Sequence, residues 1–472
     1  MSGSFSIGET KVRPGVYFRS EKSGAMELPG ITSGVVGVAF KANWGPLGQA
    51  VELKSISEIA SVYGDDSGSN VAVLEKVFMG GASRIQAVRV GAGGTKASHK
   101  LKDTTATPVE VVTLTAKHAG TRALSVTIKD SLADTTKREC IIYSGTKELC
   151  KVLFAKGNAG EVDALVAAVN ASPDCVVTAA KAAAGNGILA AVTQQAFGTA
   201  GVSPTVATND YGNALTVLEA TEWNTICVDS DDAAVHALIK TFMARAAEGG
   251  HLGIAVIGEP TSVAYATRKS NAAAFNTPSI VYVLNGFTIG ETDYEGFNAA
   301  AVVAGLIAYL PSNSSPTHKA VPGATGVKGA LTNGQIVECL GSGALVFSTS
   351  TSGAVWIEQG INTLTTLTAD QDAGWKKIRR TKTRYELMLR IHAATEGVVG
   401  NVGNDSNGSA TVVAIANGII NAMIAEGKLV SGSARVDPAN PAQGDSAWFI
   451  VEVLDLDSIE KVYVTYRFRF SD

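Results

Sequence analysis

From Lys461 to Phe470 the chain alternates without a break: Val462, Val464, Tyr466, Phe468 and Phe470 fall on one side, Tyr463, Thr465, Arg467 and Arg469 on the other. A period of two is the pattern of a β-strand. With so apolar a side, a strand at a chain end requires a partner edge, in its own sheet or in another copy of the chain. The opposite end has a different texture. Residues 1–30 carry Gly at 3, 8, 15, 24 and 30 and Pro at 14 and 29, with one short strand-like stretch, Val16, Tyr17, Phe18 and Arg19. So little apolar material among so many glycines reads as an arm rather than as part of a core.

Between these ends, 472 residues exceed what one hydrophobic core holds and predict several domains. Residues 31–95 read as a strand (Gly34 to Phe40), a Trp44-Gly45-Pro46 turn, helical spacing, and a second strand from Ile85 to Val90. They are expected to pack with a later α/β layer. Residues 96–195 change to period-two runs, Val109 to Thr115 and Leu124 to Ile128, which predict an inserted β-rich, sandwich-like module. Residues 196–350 cycle strand, helix, strand. Thr225 to Val228 precede Asp231, expected as an N-cap, and a helix with Val235, Leu238, Ile239, Phe242 and Met243 on one face; Leu252 to Ile257 and Ser279 to Leu284 follow as doubly buried strands. Residues 351–460 predict helices from Trp375 to about His392 and from about Ser409 to Glu426, then a strand at 447–453, leaving 461–472 as the C-terminal arm. The fold class expected is α/β and β multidomain, with α/β core layers, an inserted β-rich module, and arms at both ends that donate strands to neighbours.

Few chemistries find support. With a net charge of −4 the chain has no overall basic field to draw it onto nucleic acid. The five cysteines, at 140, 150, 175, 227 and 339, form no CxxC pair, which argues against a disulfide framework or a structural zinc site and for a reducing cytoplasm. Neither a secretory leader nor an uninterrupted apolar run of about 18 residues is found, so no membrane insertion is expected. The chain lacks GxSxG, HExxH and P-loop motifs, and its six histidines, at 99, 118, 236, 251, 318 and 392, are scattered. No enzyme, no metal and no cofactor is expected.

Lys376, Lys377, Arg379, Arg380, Lys382 and Arg384 put six cations into ten residues of an otherwise acidic chain. On a helix Trp375, Ile378, Tyr385, Leu389 and His392 would form an apolar stripe and leave most of the cations outward, as a solvated face or a partner surface.

Several short segments resemble, in order, the tail sheath family of contractile phage tails and related injection devices. These are Arg13 to Phe18 (PGVY), Ile31 to Pro46, Gly80 to Arg84 with Val88 to Val90, Ala116 to Arg122, Ala304 to Ala308 with Ser315 and Thr317, Gly360 to Leu364 (GINTL), and Asp457 to Thr465. The resemblance implies a virion tail protein assembled in the host bacterial cytoplasm, where identical subunits stack in helical, hexameric rings around a tail tube. Its other partners would be the baseplate and tail terminator proteins. By the same resemblance, Val16 to Arg19 and Val462 to Phe468 are inter-subunit strands, the basic helix grips the tube, and contraction drives the tube through an envelope. Two other readings stay open: a non-contractile capsid or surface-layer protein, and an α/β hydrolase-like enzyme.

Overall fold

The computed structural model describes residues 3–4, 17–18, 33–64, 71–157 and 160–469. Its centre is a seven-stranded sheet. In chain order the strands are β1 (Val35–Phe40), β2 (Ala50–Leu53), β3 (Arg84–Arg89), β4 (Thr225–Val228), β5 (Ile254–Gly258), β6 (Ile280–Val283) and β7 (Ala344–Leu345). They lie in the order β7, β6, β5, β4, β1, β3, β2, and all neighbours are parallel except the antiparallel edge strand β2. Every residue of β1, β4, β5 and β6 is buried, because helices cover both faces. This is why their sequences run apolar without alternation.

On one face lie helices α1 (Ala72–Met79) and α2 (Phe297–Tyr309), whose Leu74, Val77, Val303 and Ile307 meet Val36, Val38 and Val256 of the sheet. Helices 208–219, 233–248, 265–275 and 333–341 cover the other with Leu215, Ile239, Phe242 and Cys339. Two glycines let α1 and α2 touch. A Cβ on Gly80 would stand 2.2 Å from the Val302 carbonyl oxygen, and one on Gly305 2.1 Å from that of Val77.

The N-cap expected at Asp231 falls one residue later. Asp232 caps helix 233–248, its carboxylate accepting from the Ala234 amide at 2.8 Å. Asp231 accepts instead from the Phe297 amide at 2.7 Å, at the start of α2. Burial raises the Asp231 carboxyl to about 6 against that hydrogen bond, with Glu259, Glu295 and Asp229 adding to the rise.

Strands at 96–102, 110–119 and 177–181 form one sheet and those at 125–130, 137–144, 147–155 and 192–196 another, enclosing a core that includes Leu114, Val126, Ile142, Phe154 and Leu165. Buried Arg89 fixes this module to the α/β layer, donating to the carbonyls of Ala42 (2.8 Å), Gly45 (2.8 Å) and Ala119 (2.9 Å). Next to that contact, a Cβ on Gly120 would lie 1.7 Å from the Asn43 carbonyl oxygen, so the junction admits only glycine.

The C-terminal part packs α3 (Ile378–Glu396) and α4 (Ser406–Ala425) beside a hairpin of β8 (Leu429–Val436) and β9 (Phe449–Asp455), through Leu387, Ile419, Ile420, Met423 and Ala434. By length and composition α4 could cross a membrane. Here Asp405 caps it, accepting from the Asn407 and Gly408 amides, and its buried stripe lies against the hairpin. α3 starts later than expected: residues 373–376 form a 3-10 turn that places Trp375 before the helix. His392, assigned to the apolar stripe, is exposed and sits 3.3 Å from Glu396.

Candidate assembly interface

Residues 461–469 form neither helix nor strand, and each of them is exposed. Val462 is 76% exposed, Tyr463 90% and Phe468 84%, so the described residues leave them uncovered. The rings of Tyr466 and Phe468 stack on each other with centroids 6.4 Å apart, so these two alternating residues lie side by side. At the other end, Tyr17–Phe18 pair in parallel with Gly3–Ser4, while Val16 and Arg19 lie outside the described residues.

Just before the free segment the chain is firmly held. The Asp455 carboxylate is 4% exposed and receives Arg380 Nε at 2.8 Å and Arg384 Nε at 3.0 Å. Lys377 Nζ reaches Asp457 at 2.7 Å and Glu460 at 3.3 Å. Glu460 also accepts from Thr317 Oγ1 at 2.9 Å, Gln359 Nε2 at 3.1 Å and Ser315 Oγ at 3.3 Å. Arg379 donates to the carbonyls of Asn313 (2.9 Å) and Leu456 (2.5 Å). Burial by itself would raise Asp455, but the hydrogen bonds and charges of Arg380 and Arg384 prevail and hold it down at about 2. Glu460 is likewise held below the usual carboxylate range, its partners Gln359, Thr317 and Lys377 outweighing burial.

These contacts correct the outward cationic face. Lys376 donates to the Thr365 carbonyl at 2.6 Å, Arg384 adds Asp372 at 2.7 Å and lies over the Trp375 ring, and Lys382 is partly buried with its ammonium on the carbonyls of Ile307 and Leu310 at the end of α2. Burial lowers Lys382 to about 7, with Glu386 opposing. The six cations face the chain's own acids and carbonyls because α3 lies in the joint between α2 and the C-terminal segment. An outward charge pattern fits a helix with one buried face, and α3 is enclosed on more than one. Sequence reasoning missed the acids of this cluster. The available signal was three acids in six residues (455, 457 and 460) with no cation among them, in a chain with six cations waiting at 376–384.

Beside the held segment, the hairpin is a two-stranded sheet with no third strand among the described residues. Val430 (50% exposed) and Leu454 (54%) stand on it uncovered. Between hairpin, α3 and α4 runs an apolar groove of about 510 Å³ lined by Ile391, Val398, Val402, Val412, Phe449 and Val451.

Three of the histidines serve packing and backbone contacts: His236 bonds the Ser230 carbonyl at 3.0 Å, His251 stacks on Trp223, and His318 stacks on Trp356 at 3.9 Å. Among the described residues no group of three or more His, Cys, Asp or Glu side chains is arranged to hold a metal.

Residues 205–363 match the family model described as phage tail sheath protein central domain. The PBSX phage-like element protein XkdK of Bacillus subtilis is 22% identical over 392 residues, covering 79% of this chain and 78% of its own. Among solved structures, the sheath tail protein of Desulfitobacterium hafniense aligns with a TM-score of 0.68 at 21% identity, over 94% of this chain and 100% of the other. The helical sheath of the anti-feeding prophage in its contracted state aligns at 0.56 and 11%, over 97% and 99%. The resemblance drawn from the short sequence segments is borne out: the mixed α/β multidomain fold is that of sheath proteins, and residues 205–363 match the model of their central domain.

Proposed function

We propose that this chain, whose fold is that of phage tail and injection-system sheath proteins, is a structural subunit of a contractile tail sheath. It polymerises helically by passing its C-terminal strand to a neighbour. The observation that carries this reading is the contrast at residue 460: an apolar alternating segment, fully exposed, follows directly on a root tied by buried charges. A segment with that pattern gains main-chain partners and a covered apolar side by joining the edge of another sheet. The hairpin of a second copy offers such edges, and Tyr17–Phe18 would serve as the reciprocal strand. Head-to-tail exchange of this kind builds an open helical array, consistent with stacked, hexameric rings around a tail tube between baseplate and terminator.

Contraction would then be a lattice rearrangement in which linked subunits pass from a metastable packing to a lower-energy one, driving the tube through the host envelope. The role is mechanical and non-enzymatic, in a virion tail assembled in the bacterial cytoplasm. Negative-stain microscopy of the purified protein, with and without its tube protein, tests this. Hollow striated cylinders are expected; flat lattices or closed shells would favour a surface-layer or capsid protein, and a monomer at every concentration would refute assembly.

A further inference from the structure

Three of the five cysteines belong to the β module, and two of them meet. Cys150, in strand 147–155 beside a register shift, and Cys175, between helix 161–171 and strand 177–181, have their sulfurs 2.7 Å apart. Both are buried, and Cys175 also lines a groove of about 570 Å³ between the module and the Trp44 turn, together with Lys117 and Arg122. We infer that Cys150 and Cys175 are an oxidation site: a small-molecule disulfide reaching the protein outside a reducing compartment converts them to an internal disulfide that ties helix 161–171 across the module.

Both thiols are buried, and Cys175, the one that lines the groove, is assigned the attacking role. The neighbouring Cys150, with the Val177 amide and the Lys117 charge, lowers the Cys175 thiol below its ordinary value although burial opposes this; Cys150 is raised. The thiolate is the form that attacks a disulfide. Cys175 displaces one thiolate from the reagent and forms a mixed disulfide. Cys150 then loses its proton and attacks the Cys175 sulfur, releasing the second thiolate. The two protein thiols give up two electrons and two protons, and the reagent becomes two thiols.

The test is to incubate the folded, fully reduced protein with oxidised glutathione, then denature, alkylate and digest it without reductant. Five alkylated thiols should fall to three, with one peptide pair joined through Cys150 and Cys175. The oxidised form should unfold several degrees higher than the reduced one, since the link closes a loop in the unfolded chain. Five alkylated thiols, or a link made through Cys140, would overturn the proposal. Cys150→Ser should trap glutathione on Cys175, and Cys175→Ala, a second variant should the first not fold, should leave Cys150 unmodified; the reverse pattern contradicts the assigned roles.

Discussion

Arg380 grips Asp455 with two hydrogen bonds, Nε to Oδ2 at 2.8 Å and a terminal nitrogen to Oδ1 at 2.5 Å, and so joins helix α3 to the last strand before the free arm. Arg384 bonds the same carboxylate. Two guanidinium groups on one buried carboxylate form a strong, directional contact, and removing the carboxylate leaves two partly buried cations without it. Asp455→Ala is expected to destabilise the C-terminal part by about 3 kcal/mol, measured by urea denaturation. Reversing the charges at Arg379, Arg380 and Arg384 should damage folding itself and not merely an external contact; a well-folded triple variant would contradict the inward assignment.

The same pair sets an acid limit. Asp455 is held at about 2, below the unfolded aspartate value of ~3.9. A depressed carboxylate adds stability above the unfolded pKa and loses it as pH falls through the folded one. The protection factors of amides around residue 455, corrected for the intrinsic pH dependence of exchange, should therefore be constant above about pH 4 and fall as pH falls from there toward about 2. In Asp455→Asn that pH-dependent part should vanish.

Much of the fold was legible because burial leaves a periodic trace. The continuous apolar runs at 35–40, 254–258 and 280–283 are the doubly covered strands, and the alternating runs at 110–119 and 125–130 are module strands covered on one side. The alternation at 461–469, by contrast, belongs to residues that are exposed and form no strand within this chain. What could not be read was which long-range acid meets which cation: Asp455 and Arg380 are 75 positions apart, and periodicity carries no information about such pairs. Asp231 illustrates the same blindness, since it lies next to one helix but caps another 66 residues further on.

Asp231 has the opposite electrostatic sign. Its folded value of about 6 lies above the unfolded one, so the native state keeps its proton longer and stability falls as pH rises from about 4 to about 6. Asp231→Asn keeps an acceptor for the Phe297 amide without the buried charge. Relative to the parent chain it should gain about 1–2 kcal/mol between pH 4 and pH 7, read from thermal unfolding at both values. A pH-independent difference would contradict the assigned cause.

Close contact of α1 with α2 depends on Gly80 and Gly305. A methyl group at Gly80 would collide with the Val302 carbonyl oxygen, a backbone atom that cannot turn aside. Gly80→Ala should cost about 2 kcal/mol in denaturant midpoint, whereas Gly334→Ala, where a Cβ meets nothing within 4 Å, should be close to neutral.

The central claim is that residues 461–472 serve a neighbour and not their own fold. Deleting them and comparing sedimentation velocity with circular dichroism and thermal unfolding measures both properties on one sample. The expected result is an unchanged spectrum and unfolding midpoint together with loss of every assembled species, leaving a monomer at concentrations where the full chain polymerises. A truncated chain that still polymerises, or one that no longer folds, would contradict it.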